Sequence, residues 1–136
     1  MRKAAGLFII AKDTKKALLL YRSKISPQPH TWCPTGGGCD PGETLLDCAK
    51  RECEEEVGYK GEMITVPFFK HIYKTFQFVS FLAIVPKQFE VKLDLYENEK
   101  YKWVTKKELF DITPKHFGLE NILKENECLD MICPYL

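Results

Sequence analysis

GGCDPGETLLDCAKRECEEEVGY, residues Gly37–Tyr59, packs a turn-forming loop, a helix and a glycine stop into one short run. Pro41-Gly42 is a turn signal. Thr44 is placed to cap the following helix, and Asp47 supplies the acidic partner three residues on. Gly58 after Val57 is the expected left-handed stop. Between these ends Leu45, Ala49, Cys53 and Val57 recur at fours, which predicts an apolar stripe against a core. Glu52, Glu55 and Glu56, spaced i, i+3 and i+4, fall together on a neighbouring face. Three carboxylates on one patch repel one another, and a divalent cation would relieve that repulsion. Hard, oxygen-rich sites of this kind suit Mg²⁺ or Mn²⁺.

The same residues carry a resemblance. Gly37, Glu43, Arg51-Glu52, Cys53, Glu55-Glu56, Gly58 and Tyr59 follow the spacing of the Nudix box, with every glycine and polar position matched. Cys53 and Tyr59 stand where that pattern usually has aliphatic residues. The approach Trp32-Cys33-Pro34-Thr35-Gly36-Gly37 is similar to the family's usual entry to its box, with Thr35 where proline is common.

The resemblance implies an α/β fold, an α/β/α sandwich with a central mixed sheet and the loop–helix–loop box. It implies hydrolysis of a nucleoside diphosphate linked to another group, by water attack on a pyrophosphate phosphorus. It implies Mg²⁺ or Mn²⁺ held by Glu52, Glu55, Glu56 and the Gly36 carbonyl. It also implies that Glu43 pairs with Arg51 to brace the loop, so that Glu43, Arg51, Glu52 and Glu55 form the catalytic set. Glu52, Glu55 or a loop carboxylate such as Glu97 is the expected proton acceptor. Arg22, fourteen residues before Gly36, resembles the phosphate-contacting arginine of MutT-like members. Arg22, Gly37 and Glu97 are therefore the expected substrate contacts.

Composition agrees with one globular domain over 1–136: 45% of residues are apolar and 29% charged, which argues against disorder. A formal charge of +1 gives no nucleic-acid or membrane signature. No apolar run approaches the ~20 residues of a membrane span. The N-terminal apolar stretch reaches Lys12-Asp13 without a cleavage-like site, so it reads as a first strand. A cytoplasmic protein acting on a small nucleoside polyphosphate is expected, with a homodimer left open. Six cysteines without a CxxC pair make zinc an unfavoured expectation and reduced thiols the favoured one.

Along the chain, Ala4–Ala11 and Ala17–Tyr21 read as a hairpin turning at Asp13-Thr14. A strand ending at Tyr73 carries Pro67, which marks an edge or a bulge. Thr75–Val85 is apolar on both phases, as in a sheet covered on both faces, and its aromatics read as core. Lys87–Lys100 reads as irregular, Tyr101–Val104 as a short strand, and Thr105 as the cap of a helical turn. Asn121–Leu129 reads as one C-terminal helix, and Met131–Leu136 is too apolar for a free tail.

Substrate choice is weakly encoded. Tyr73 lies near the tyrosine position of dinucleoside polyphosphate hydrolases, and Pro67 comes too early for ADP-ribose-type members. Nucleoside triphosphates and dinucleoside polyphosphates stand level, with nucleotide sugars third. The rival class is a Nudix-fold module that binds a nucleotide or a protein without hydrolysis. Such modules can dispense with the metal-ligating glutamates, whereas this chain keeps them all.

Overall fold

The computed structural model describes residues 1–136. Two strands dominate its centre. β1 (Arg2–Ala11) runs parallel to β6 (Phe76–Val85), paired residue for residue from Arg2 opposite Phe76 to Ala11 opposite Val85. On its other side β1 pairs antiparallel with β2 (Lys16–Arg22) at one end and with β4 (Thr35–Gly38) at the other. β3 (Trp32–Cys33) and β7 (Asn98–Val104) flank β2, and β5 (Ile64–Tyr73) closes the far edge beside β6. The sheet is mixed, because only the β1–β6 pair is parallel among these ladders.

Alternation along the strands splits the core in two. Leu7, Ile9, Leu18, Leu20, Phe81 and Ala83 face α1 (Leu45–Val57), together with its buried Cys48, Ala49, Cys53 and Val57. Phe8, Ile10, Leu19, Leu82 and Ile84 face the other way, toward α2 (Lys106–Asp111), α3 (Phe117–Lys124) and α4 (Asn126–Ile132). Apolar residues on both phases thus serve two helical layers, giving the α/β/α sandwich.

The hairpin turns at Asp13-Thr14, where Asp13 Oδ1 accepts from the Thr14 and Gln88 amides. Pro67 sits on the edge strand, and the β5–β6 register slips between Pro67 and Phe69, so edge and bulge coincide. Thr105 and Glu108 form a reciprocal capping box at the start of α2.

Three expectations need correction. β7 begins at Asn98, inside the stretch read as irregular. The expected C-terminal helix is two, α3 and α4, broken at Glu125, whose backbone is extended. Both helices bury apolar residues on the sheet, Leu119 and Ile122 from one and Cys128 and Ile132 from the other, and the break lets each reach it. Phe76 and Phe78, read as core, are only half-buried and line an open cleft. The apolar tail docks on its own chain: Ile132 is fully buried, and Met131 and Leu136 pack beside it.

Candidate active site

α1 is fixed at both ends. Thr44 accepts from the Asp47 amide, and Gly58 takes the left-handed conformation while its amide donates to Glu54. Amides from the following loop close the last turn, Lys92 donating to the Val57 carbonyl and Asp94 to that of Glu56. The glutamate face is therefore held rigidly above β4.

The glycines of β4 explain how closely it is held. A Cβ on Gly37 would run into the carboxylate of Glu52, and a Cβ on Gly6 would run into the Thr35 carbonyl. Glycine at these two places lets β1, β4 and the Glu52 side chain stack without a gap.

Arg51 organises the acidic groups. Its Nε and Nη2 donate to the two oxygens of Glu43 at 2.7 and 3.0 Å, and Nη2 also donates to the Gly38 carbonyl at 2.9 Å. Its Nη1 donates to Glu52 at 3.1 Å and to Glu55 at 3.2 Å. The hydrogen bonds from Arg51 hold the Glu43 carboxyl down at about 2, helped by the Asp40 amide.

Glu56 is in the opposite state. It is 4% exposed, and its oxygens accept from the Gly36 amide at 2.9 Å and from Asn98 Nδ2 at 3.3 Å. Burial pushes its carboxyl up to about 8 despite those two donors. Burial also raises Glu52, with Arg51 opposing and the charges of Glu55 and Glu97 adding. Glu97 lies on an exposed loop yet raises both Glu52 and Glu56, so it belongs to the same field. Glu55 is the most open of the three patch glutamates, with its side chain 57% exposed. The patch thus carries more carboxylates than its one guanidinium balances, and hard oxygens at that density fit a divalent ion. The Gly36 amide is spent on Glu56, and its carbonyl belongs to the same glycine strand.

Beside the patch a cleft of about 930 Å³ runs along β4, floored by Gly36, Gly37 and Gly38. Arg22 lines it, with Nε donating to the Pro27 carbonyl at 2.7 Å and Nη1 near Cys33 Sγ at 3.8 Å. The aromatic walls come from elsewhere: Phe69, His71, Phe76 and Phe78 from the sheet, and His116 and Phe117 from the start of α3. His116 Nδ1 accepts from the Gly118 amide, and burial, with Arg22 nearby, lowers the ring to about 4, so the imidazole is neutral at pH 7. Nothing in the spacing of the sequence pointed to Asn98, His116 or Phe117, since folding alone brings them to the box.

Comparison with known proteins follows the same lines. The NUDIX domain model matches residues 1–125. The asymmetrical bis(5'-nucleosyl)-tetraphosphatase of Caenorhabditis elegans is 32% identical over 108 residues, covering 74% of this chain and 77% of that protein. The human NAD-capped RNA hydrolase is 31% identical over 108 residues, but the matched part is 79% of this chain and only 23% of that protein. Among solved structures, a C. elegans Ap4A hydrolase binary complex superposes with a TM-score of 0.69 at 26% identity, covering 97% of this chain and 96% of that one. No helix of the chain is long and apolar enough to cross a membrane. Nudix hydrolases generally need divalent metal ions. With the box, the sandwich and these matches in agreement, the chain belongs to the Nudix family and is a pyrophosphohydrolase.

Proposed function

We propose that the chain hydrolyses dinucleoside polyphosphates, splitting the polyphosphate asymmetrically on the glutamate face of α1. One observation carries this most: the cleft of about 930 Å³ and the glutamate patch share the glycine strand β4. A nucleoside held between the aromatic walls would lay its phosphates over Gly36 and Gly37 toward Glu52 and Glu56. The similarity to tetraphosphatases supports this substrate over a nucleoside triphosphate, which the sequence leaves level.

A divalent ion, Mg²⁺ or Mn²⁺, held by Glu52, Glu55, Glu56 and the Gly36 carbonyl would neutralise phosphate oxygens and acidify a water. The chain's own groups do the rest. Glu43 locks Arg51, and Arg51 in turn sets the rotamers of Glu52 and Glu55. Glu52 is the proton acceptor we favour over Glu55 and Glu97. Burial raises its proton affinity, and Arg51 fixes its direction. Glu56 already accepts on both oxygens and serves as an anchor rather than a base. Arg22, from the cleft wall, meets phosphate charge, and Gly37 lets the chain approach closely. Neutral His116 keeps the nucleoside end of the cleft free of added charge. Six free thiols go with a reducing, cytoplasmic setting.

The test is product analysis with Mg²⁺ over a panel of dinucleoside tetraphosphates, nucleoside triphosphates and nucleotide sugars. A mononucleotide and a nucleoside triphosphate should appear together from the tetraphosphate, at higher kcat/KM than from any other substrate. Turnover of triphosphates alone would overturn the substrate assignment. No turnover of any substrate would favour a binding module.

A further inference from the structure

We propose that Cys39, Cys48 and Glu43 form a second metal site, selective for a thiophilic divalent ion such as Zn²⁺ and separate from the glutamate face. The two Sγ atoms and a carboxylate oxygen of Glu43 all lie within 4.8 Å of one another. In a tetrahedral site, bonds of ~2.3 Å to sulfur and ~2.0–2.2 Å to oxygen put the donors roughly 3.5–3.8 Å apart. The three groups therefore need to close by only about 1 Å to share an ion, leaving the fourth position for water.

The fold makes this set, and the spacing hides it. Cys39 and Cys48 are no CxxC pair: one directly follows the glycine strand and the other lies in the first turn of α1. The Cys39 amide donates to the Lys3 carbonyl at 2.9 Å, which ties the first thiol to β1. Cys48 Sγ points at the Gly37 carbonyl at 3.6 Å. Cys48 is buried, whereas Cys39 and Glu43 are half-buried and line the cleft, so an ion has a way in.

The chemistry separates this site from the other one. Thiolates select soft or borderline ions, while Mg²⁺ and Mn²⁺ prefer the oxygens of the glutamate face. Binding replaces two S–H bonds by two metal–sulfur bonds and releases two protons, with Glu43 already ionised and no change of oxidation state.

The two sites are coupled through Arg51. Closing the site draws the Glu43 carboxylate toward the two thiols and so away from its two-point grip on Arg51. Arg51 freed from Glu43 no longer fixes Glu52 and Glu55, so a thiophilic ion should inhibit hydrolysis. This last step rests on the proposed function, whereas the binding itself does not.

The experiment titrates the reduced, full-length protein with Co²⁺ as a spectroscopic probe, in excess Mg²⁺. One equivalent should give thiolate charge-transfer and tetrahedral d–d bands, with two protons released. Cys39→Ser and Cys48→Ser should each lose the charge-transfer intensity and weaken binding at least tenfold, as loss of support at metal sites does. Cys133→Ser should behave as the wild type. Absence of thiolate bands in the wild type, or their survival in both serine variants, would overturn the site. In a parallel assay, Cys48→Ser, whose buried side chain does not line the cleft, should keep its Mg²⁺-dependent turnover and resist inhibition by Zn²⁺. Equal inhibition of both proteins would overturn the coupling while leaving the spectroscopic result standing.

Discussion

Glu56→Gln removes one buried carboxyl and should change how the metal-free protein responds to pH. The folded Glu56 titrates at about 8 against an ordinary 4.5, because burial disfavours its charge. Between those values the native state holds a proton that the unfolded chain has lost, so stability falls as pH rises. The contribution is complete below 4.5 and gone once the pH has passed through about 8. His116, lowered from 6.5 to about 4, works in the opposite direction and finishes by pH 6.5. The clean window is therefore pH 6.5 to 8, where 1.36 kcal/mol per pH unit gives about 2 kcal/mol. For a chain of this length that is roughly 6–10 °C in Tm. Glutamine keeps an acceptor for the Gly36 amide, and Asn98 can turn its own oxygen toward the new amide, so the fold should survive. The assay is thermal unfolding in EDTA across that window for both proteins. The wild type should lose stability with rising pH while Glu56→Gln stays nearly flat. Parallel slopes in the two proteins would refute the assignment of a protonated, buried Glu56.

Other outcomes follow from the same geometry. Arg51→Ala should melt below Glu56→Gln in EDTA, since it strands Glu43 and Glu52 in half-buried positions, and the reverse order in melts would contradict this. Gly37→Ala should push the Glu52 carboxylate aside and cut kcat by about a hundredfold with little change in Tm. Gly6→Ala meets backbone instead and should cost about 1–3 kcal/mol, read as a lower midpoint in urea. Mn²⁺ at a hundredfold excess over its Kd should stabilise the wild type by ~2.7 kcal/mol and leave a Glu52, Glu55 and Glu56 to Gln triple variant unmoved, as thermal shifts would record.

Much of this was legible in the sequence because it is local. The cap at Thr44, the stop at Gly58 and the stripe through Ala49, Cys53 and Val57 fix α1 without help from the rest of the chain. β6 announced two covered faces by carrying apolar residues on both phases. The break at Glu125 was not legible, since no glycine or proline marks it and packing of Ile122 and Cys128 on the sheet decides it. The start of β7 was hidden because Asn98, Glu99 and Lys100 are polar, and the buried Asn98 is recruited by Glu56 from a distant segment. The cleft walls were hidden for the same reason. Phe78 comes from β6 and His116 and Phe117 from the start of α3, and none has a periodicity that would set it apart from core.

The most direct measurement is the Mg²⁺-dependent kcat of the wild type beside Glu52→Gln, Glu55→Gln and Glu56→Gln, each checked for folding by its melt. The expected result is a wild-type activity abolished by EDTA and reduced by about a hundredfold or more in Glu52→Gln and Glu56→Gln, with native melts throughout. Wild-type rates in all three variants would contradict the claim that the acidic face of α1 carries the chemistry.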